Sequence, residues 1–152
     1  MINSTRLLGV DYGSVRIGLA VSDSERRIAS PLKTYERRGT QQDSDFFRDL
    51  IKHEEIAQMI VGLPVHLDGR EGDKAREARE FGQWLANVTG LPVIFWDERF
   101  TTVEAEGHLL RAGLTRKRRR DRRDRVAAQI LLQAYLDAGC PAQAPTLGPL
   151  DE

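Results

Sequence analysis

Cysteine is nearly absent: Cys140 is the single one among 152 residues. That excludes a disulfide within the chain and a cysteine-based metal site. Long apolar runs are missing too. No segment approaches the roughly 18 consecutive apolar residues of a membrane span, and the opening MINSTR lacks the apolar stretch of a signal peptide. These absences predict a cytosolic protein with no membrane contact. Neither sign of charge dominates, since 23 basic residues face 23 acidic ones. Internal repeats are absent as well. What remains is an ordinary globular composition, 40% hydrophobic and 30% charged, too apolar for disorder. The length predicts one domain with a real core, followed at most by a tail.

The zero net charge hides a segregated one. Residues 116–125, RKRRRDRRDR, hold eight basic and two acidic side chains, a local +6 that leaves −6 for the rest of the chain. A charge run is ordinarily a solvated face. This density, beside an acid that opens an apolar helix, favours contact with a polyanion. Arg116, Lys117, Arg118, Arg119 and Arg120 would supply a non-specific grip on a nucleic-acid backbone. No aromatic interleaves them, so base stacking gains no support here.

Hydrophobic periodicity divides the chain into elements. Residues 7–11 and 16–22 read as strands joined by Tyr12-Gly13-Ser14, with Gly13 suited to a positive φ. Residues 27–36 read as a third strand, broken or bulged at Pro31. A helix is predicted over 42–55, a buried strand over 59–62, a polar Gly-rich loop over 65–73 and a helix over 73–88 that Gly90 ends in a left-handed conformation. A strand follows over 92–96. Thr101 with Glu104 fits a capping box for a helix over 102–112. The basic stretch reads as a loop, and the last helix as starting near Asp121–Asp124 with Val126, Ala127, Ile130, Leu131, Ala134 and Tyr135 inward. Residues 1–139 form the predicted domain, and the Pro-rich 140–152 a disordered tail. The order βββαβαβαα predicts an α/β fold: a five-stranded mixed sheet, with a three-strand antiparallel meander and two parallel strands, flanked by helices.

One acid ends the first apolar strand, Asp11. Another, Glu98, lies just past the end of the fifth, two strand spacings away. Asp124 opens the last apolar helix, where its side chain can lean back toward the sheet edge. Ligands of parallel sheets bind at that edge. Three carboxylates meeting there would repel one another unless a cation lay between them, and oxygen ligands suit Mg²⁺ or Mn²⁺. Such a site can activate a water against a phosphodiester. Each acid has a plainer role open to it: Asp11 hydrogen-bonding its turn, Asp124 capping its helix, Asp97 and Glu98 pairing with Arg99 or Arg16. Asp97 reads as structural. Arg99 can orient Glu98 or bind the scissile phosphate. His66, in the polar loop, is either solvated or a substrate contact, and not a metal ligand. Trp84 and Trp96 sit in apolar patterns and read as core.

Four stretches carry a family resemblance: GVDYGSVRIGLAVSD at 9–23, GLPVHLDGREG at 62–72, DERFTTVEAE at 97–106 and DRVAAQILLQAYL at 124–136. Together they resemble the YqgF family, described as pre-16S rRNA nucleases and as Holliday-junction-resolvase-like proteins. The resemblance spans residues 7–137. It implies a ribonuclease H-like fold and a metal-dependent nuclease site, with Asp11, Glu98 and Asp124 as the acids and Arg16 at a position of phosphate contact. Gly62, Leu63 and Pro64 match the motif that ends the fourth strand. The chain departs from the pattern at Arg123, where an aliphatic residue is expected, so the basic run reaches the helix start.

Three functions compete on this reading. The first is a nuclease of structured RNA acting in maturation of the pre-16S ribosomal RNA 5′ end. The second, with the same chemistry, is resolution of a DNA junction, which would need a dimer; the chain shows no dimerisation stripe, and a monomer or weak dimer is expected. The third is a non-catalytic RNA- or ribosome-associated factor. The Asp-x-Gly turn also resembles the phosphate-binding turn of the actin and hexokinase group, but those proteins need two lobes to enclose a nucleotide.

Overall fold

The computed structural model describes residues 5–100 and 115–142. The expected capping box at Thr101 and Glu104, the helix over 102–112 and most of the expected tail lie outside the described residues.

The elements are β1 (Arg6–Asp11), β2 (Arg16–Ser22), β3 (Ala29–Glu36), α1 (Thr40–Glu54), β4 (Ile56–Leu63), α2 (Asp73–Thr89), β5 (Val93–Asp97), a 3₁₀ turn (Glu98–Phe100) and α3 (Arg116–Asp137). The five strands form one sheet in the order β3-β2-β1-β4-β5. β1 pairs antiparallel with β2, and β2 with β3. β1–β4 and β4–β5 are parallel. This is the mixed α/β sheet expected from the order of elements. The register of β2 against β3 slips where Leu19 faces Lys33 and Ala20 faces Pro31, so one residue bulges out beside the proline. β3 is an edge strand, where a proline costs no ladder hydrogen bond.

Alternation along the strands sends side chains to two faces. Leu8, Val10, Ile17, Leu19, Met59 and Val61 meet Phe47, Phe81 and Leu85 from α1 and α2. On the opposite face Leu7, Ala20, Ile60, Ile94 and Trp96 meet Ala128, Leu131, Leu132, Tyr135 and Leu136 from α3. Trp96 is thus core, and Trp84 packs against the first cluster. α2 ends at Gly90 with φ 74°, the left-handed cap its sequence predicts.

Two expectations need correction. Gly13 is not among the positive-φ residues. It must be glycine because a Cβ there would lie 2.3 Å from the Arg16 carbonyl oxygen, in a turn too tight for any side chain. The basic stretch is not a loop: α3 begins at Arg116, capped by the Thr115 side chain, which accepts from the Arg118 N–H at 3.2 Å. The capping threonine outweighs the lack of apolar periodicity in the first two turns. Downstream, Cys140 packs on the second cluster, and the Tyr135 hydroxyl donates to the Pro141 carbonyl at 2.5 Å.

Behind the sheet edge a polar network fixes the start of α1. The carboxylate of Asp43, fully buried, accepts from the Tyr35 hydroxyl at 2.6 Å, the Arg38 N–H at 2.9 Å and Arg37 at 3.2 Å. Burial pushes the Asp43 carboxyl up, but these hydrogen bonds prevail and hold it below its usual value. Burial and the bond to Asp43 push the Tyr35 hydroxyl up to about 12. Arg37 lies over the rings of Tyr12 and Phe81, which anchors the residue next to Asp11.

Candidate active site

Asp11 is the last residue of β1 and points to the α3 face, as Leu7 and Gly9 do. Its register partner on β2 is Gly18. On the other side of β1, Gly62 of β4 pairs with Trp96 of β5. Both glycines are close-approach positions. A Cβ on Gly18 would lie 1.9 Å from the Asp124 carbonyl oxygen, so the start of the apolar part of α3 rests on bare backbone beside Asp11. A Cβ on Gly62 would lie 2.4 Å from Glu98 Oε1, so the Glu98 side chain crosses over β4 toward Asp11. That crossing closes the two-strand gap between the acids. Glycine inside a strand is the sequence signal for such an approach; here it marks the two places where the site assembles.

The Glu98 carboxyl, carried over Gly62, comes within hydrogen-bonding reach of Asp11. Burial, then the charge and hydrogen bond of Glu98 and the charge of Asp124, push Asp11 well above the carboxylate range. Burial raises Glu98 as well, partly offset by the bond from Asp11.

Asp124 is held differently. Its Oδ2 accepts from Arg16 Nε at 3.0 Å, and the two side chains are 25% and 30% exposed. Arg16 opens β2, 108 residues away in the chain, so no local pattern announces the pair. Among the described residues, no three His, Cys, Asp or Glu side chains form a group able to hold a metal ion. The structure thus joins two of the three expected acids, Asp11 and Glu98. It brings the third near enough for its charge to act on Asp11, and turns that third carboxylate toward Arg16.

Arg99 donates to Asp97 through Nε and Nη2, at 2.8 and 2.6 Å to Oδ2, and through Nη1 to the Leu67 carbonyl at 3.2 Å. Asp97 is buried and structural, as its place predicts. Arg99 therefore ties the loop after β4 to the end of β5. Within that loop Val65 bridges Glu71, the His66 N–H donates to the Arg70 carbonyl, and Asp68 pairs with Arg70. His66 is exposed, its ring edge over Gly72, where a Cβ would lie 2.8 Å from Nε2. Arg116, Lys117, Arg118, Arg120 and Arg123 are exposed and Arg119 half-buried along the first turns of α3, the helix that also carries Asp124.

A five-stranded mixed sheet in the order β3-β2-β1-β4-β5, flanked by helices on both faces, defines a ribonuclease H-like protein. Thermus thermophilus RuvC in complex with a Holliday junction substrate shares the fold, with a TM-score of 0.58 at 17% identity over 93% of this chain and 99% of that one. RuvC of the same organism in a second structure gives 0.55 at 14% identity. The family model RuvX, described as Holliday junction resolvase, matches residues 5–138, and the chain belongs to that family, also called YqgF. A Rhodopirellula baltica relative is 48% identical over 133 residues, 88% of this chain and 77% of its own length. One from Rhodobacter capsulatus is 45% identical over 131 residues, 86% and 82% of the two chains. Both bear the name "Putative pre-16S rRNA nuclease". Among the described residues no helix is long and apolar enough to cross a membrane.

Proposed function

We propose that the protein is a cytosolic nuclease, dependent on Mg²⁺ or Mn²⁺, that hydrolyses phosphodiester bonds of structured RNA at the 5′ end of pre-16S ribosomal RNA. The observation that carries this reading is the Asp11–Glu98 pair. Two carboxyls crowded together beside Gly62, with Asp11 raised by burial and by the charge of Glu98, form an oxygen-only site whose repulsion a divalent cation relieves. Asp11, Glu98 and Asp124 would hold the cation. When bound, it would polarise a phosphate oxygen and lower the pKa of a water.

The chain's own residues divide the remaining work. The turns bearing Arg116, Lys117, Arg118, Arg119, Arg120 and Arg123 attract and align the phosphate backbone. Arg16, partly open to solvent, is placed to meet the phosphate next to the acids. Arg99 holds Asp97 and the Leu67 loop, which keeps Glu98, the residue between them, over Gly62. His66 in that loop contacts substrate. The relatives' names favour RNA; the family's description favours the second reading, a DNA junction cut by the same site.

Purified protein incubated with ribosomal RNA precursor and with a four-way DNA junction, each with Mg²⁺ or Mn²⁺, separates the readings. Cleavage of the RNA that Asp11→Asn abolishes while sparing binding is the expected result. Cleavage of the junction alone would move the assignment to DNA, and cleavage of neither would leave a binding factor.

A further inference from the structure

We infer that Arg16 is an internal counter-cation that holds Asp124 away from the acid pair until a nucleic-acid phosphate takes the guanidinium, so that phosphate binding frees Asp124 for the cation. This rests on the reading of the acid pair as a cation site, and says how that site is regulated.

The geometry is specific. Arg16 and Gly18 lie on the same face of β2, two residues apart. Gly18 sits opposite Asp11 in the register and directly under the Asp124 carbonyl. The backbone of Asp124 is therefore fixed beside Asp11, and its side chain alone decides whether the third carboxylate joins the other two. In the structure that side chain is turned to Arg16, bonded at 3.0 Å. A dication approaching the acids faces a positive guanidinium already occupying one of the acids it needs. The Arg16 side chain is 30% exposed, open to a phosphate. A phosphate offers two oxygens to the planar guanidinium, a bidentate contact that the single Nε bond to Asp124 does not exhaust. Moving Arg16 from Asp124 to phosphate removes the competing cation from one ligand and leaves the other anion satisfied. Neither ligand need alter the fold. Because such coupling is reciprocal, the dication must tighten phosphate binding by the same factor that phosphate tightens dication binding. An enzyme built this way assembles its full acid set only on a phosphate backbone.

Two measurements test it, neither of them activity. The first is Mn²⁺ affinity of the free protein, by counting free ion with electron paramagnetic resonance. Arg16→Gln is expected to bind Mn²⁺ on the order of 10-fold tighter than wild type, within the usual range of site coupling. Arg16→Lys stays close to wild type, and Arg16→Gln confers no gain in an Asp124→Asn background. The second is binding of a short fluorescein-labelled RNA duplex in EDTA, by anisotropy. Asp124→Asn, which frees Arg16, tightens binding more than Asp121→Asn, which makes the same charge change one turn earlier; with Arg16→Gln added, that excess vanishes. Circular dichroism confirms that each variant is folded, and Arg16→Met, which removes the same charge, replaces Arg16→Gln with the same expected gain should the glutamine chain fail to fold. Mn²⁺ binding that depends on Asp11 but is equal or weaker in Arg16→Gln overturns the inference and leaves the cation site standing. No Mn²⁺ binding to wild type or to Arg16→Gln, or binding unaltered by Asp11→Asn, overturns both.

Discussion

A single added methyl group is expected to act in opposite ways at Gly62 and Gly18. On Gly62 a Cβ would meet the far end of a flexible side chain, Glu98 Oε1 at 2.4 Å. Glu98 can swing aside, so Gly62→Ala keeps its fold but separates Glu98 from Asp11. Cleavage should fall on the order of 10²-fold, the usual cost of misplacing a reacting group by about 1 Å, while the melting temperature changes little. On Gly18 the Cβ would meet a helix carbonyl, Asp124 O at 1.9 Å, which has nowhere to go unless α3 lifts. Gly18→Ala should lose about 1–3 kcal/mol, as overpacked positions do. Thermal melts and cleavage rates on the two variants check this, and equal stability losses would refute it. The residues that carry chemistry were legible in the sequence as types and places: acids ending strands, and an acid opening an apolar helix. Their state was not. That Glu98 reaches Asp11, and that Arg16 holds Asp124, depends on side chains reaching across two strands or across 108 residues of chain. Periodicity records which face a residue takes and is silent on such reach.

At the scale of elements, sequence pattern and structure agree where an apolar stripe exists and part where charge replaces it. The central strands and α2 match their apolar patterns, and the Pro31 bulge lies where its proline predicts. α3 begins at Arg116, earlier than expected, because its first turns show no apolar period at all and only Thr115 marks the cap. No acidic residue stands in that first turn, and the cations there oppose the helix dipole and one another at i,i+3 and i,i+4 spacings. A helix start so charged is held by its cap and by the packed half behind it. A bound polyanion relieves both conflicts. Changing Arg116, Lys117, Arg118 and Arg120 together to Gln is therefore expected to flatten the dependence of log affinity for an RNA duplex on log salt, by about 0.7–0.9 for each phosphate no longer neutralised. The helical content of the cation-free protein should hold or rise. An unchanged salt slope would mean that this face is merely solvated.

At the scale of the whole molecule, α3 closes one side of the sheet and α1 with α2 the other, and the acid pair sits at the rim next to α3. A fold that crowds two half-buried carboxyls at such a rim carries a conflict that solvent conditions can expose. The sign follows from the shifts. Asp11 is raised, so the folded chain keeps a proton that the unfolded chain gives up. The stability linked to that proton is fully present below the ordinary carboxylate pKa and is lost as pH rises through the raised value. Asp43 works in reverse: its carboxyl is lowered, and its contribution holds above the ordinary value and is lost as pH falls through the lowered one. Subtracting Asp11→Asn from wild type isolates the first effect, since asparagine mimics the protonated acid. The two proteins should melt together near pH 4 and diverge as pH rises, with Asp11→Asn the more stable at pH 8. A gain of about 1 kcal/mol is common when an active-site conflict is relieved, or roughly 2–4 °C for a chain of this size. Mn²⁺ at about 100 times its dissociation constant should reverse the order, adding roughly 2.7 kcal/mol to wild type by mass action and little to the variant. Parallel melting curves across pH would show that the carboxyl pair stores no conflict, and with that result the reason for placing a cation between Asp11 and Glu98 would be gone.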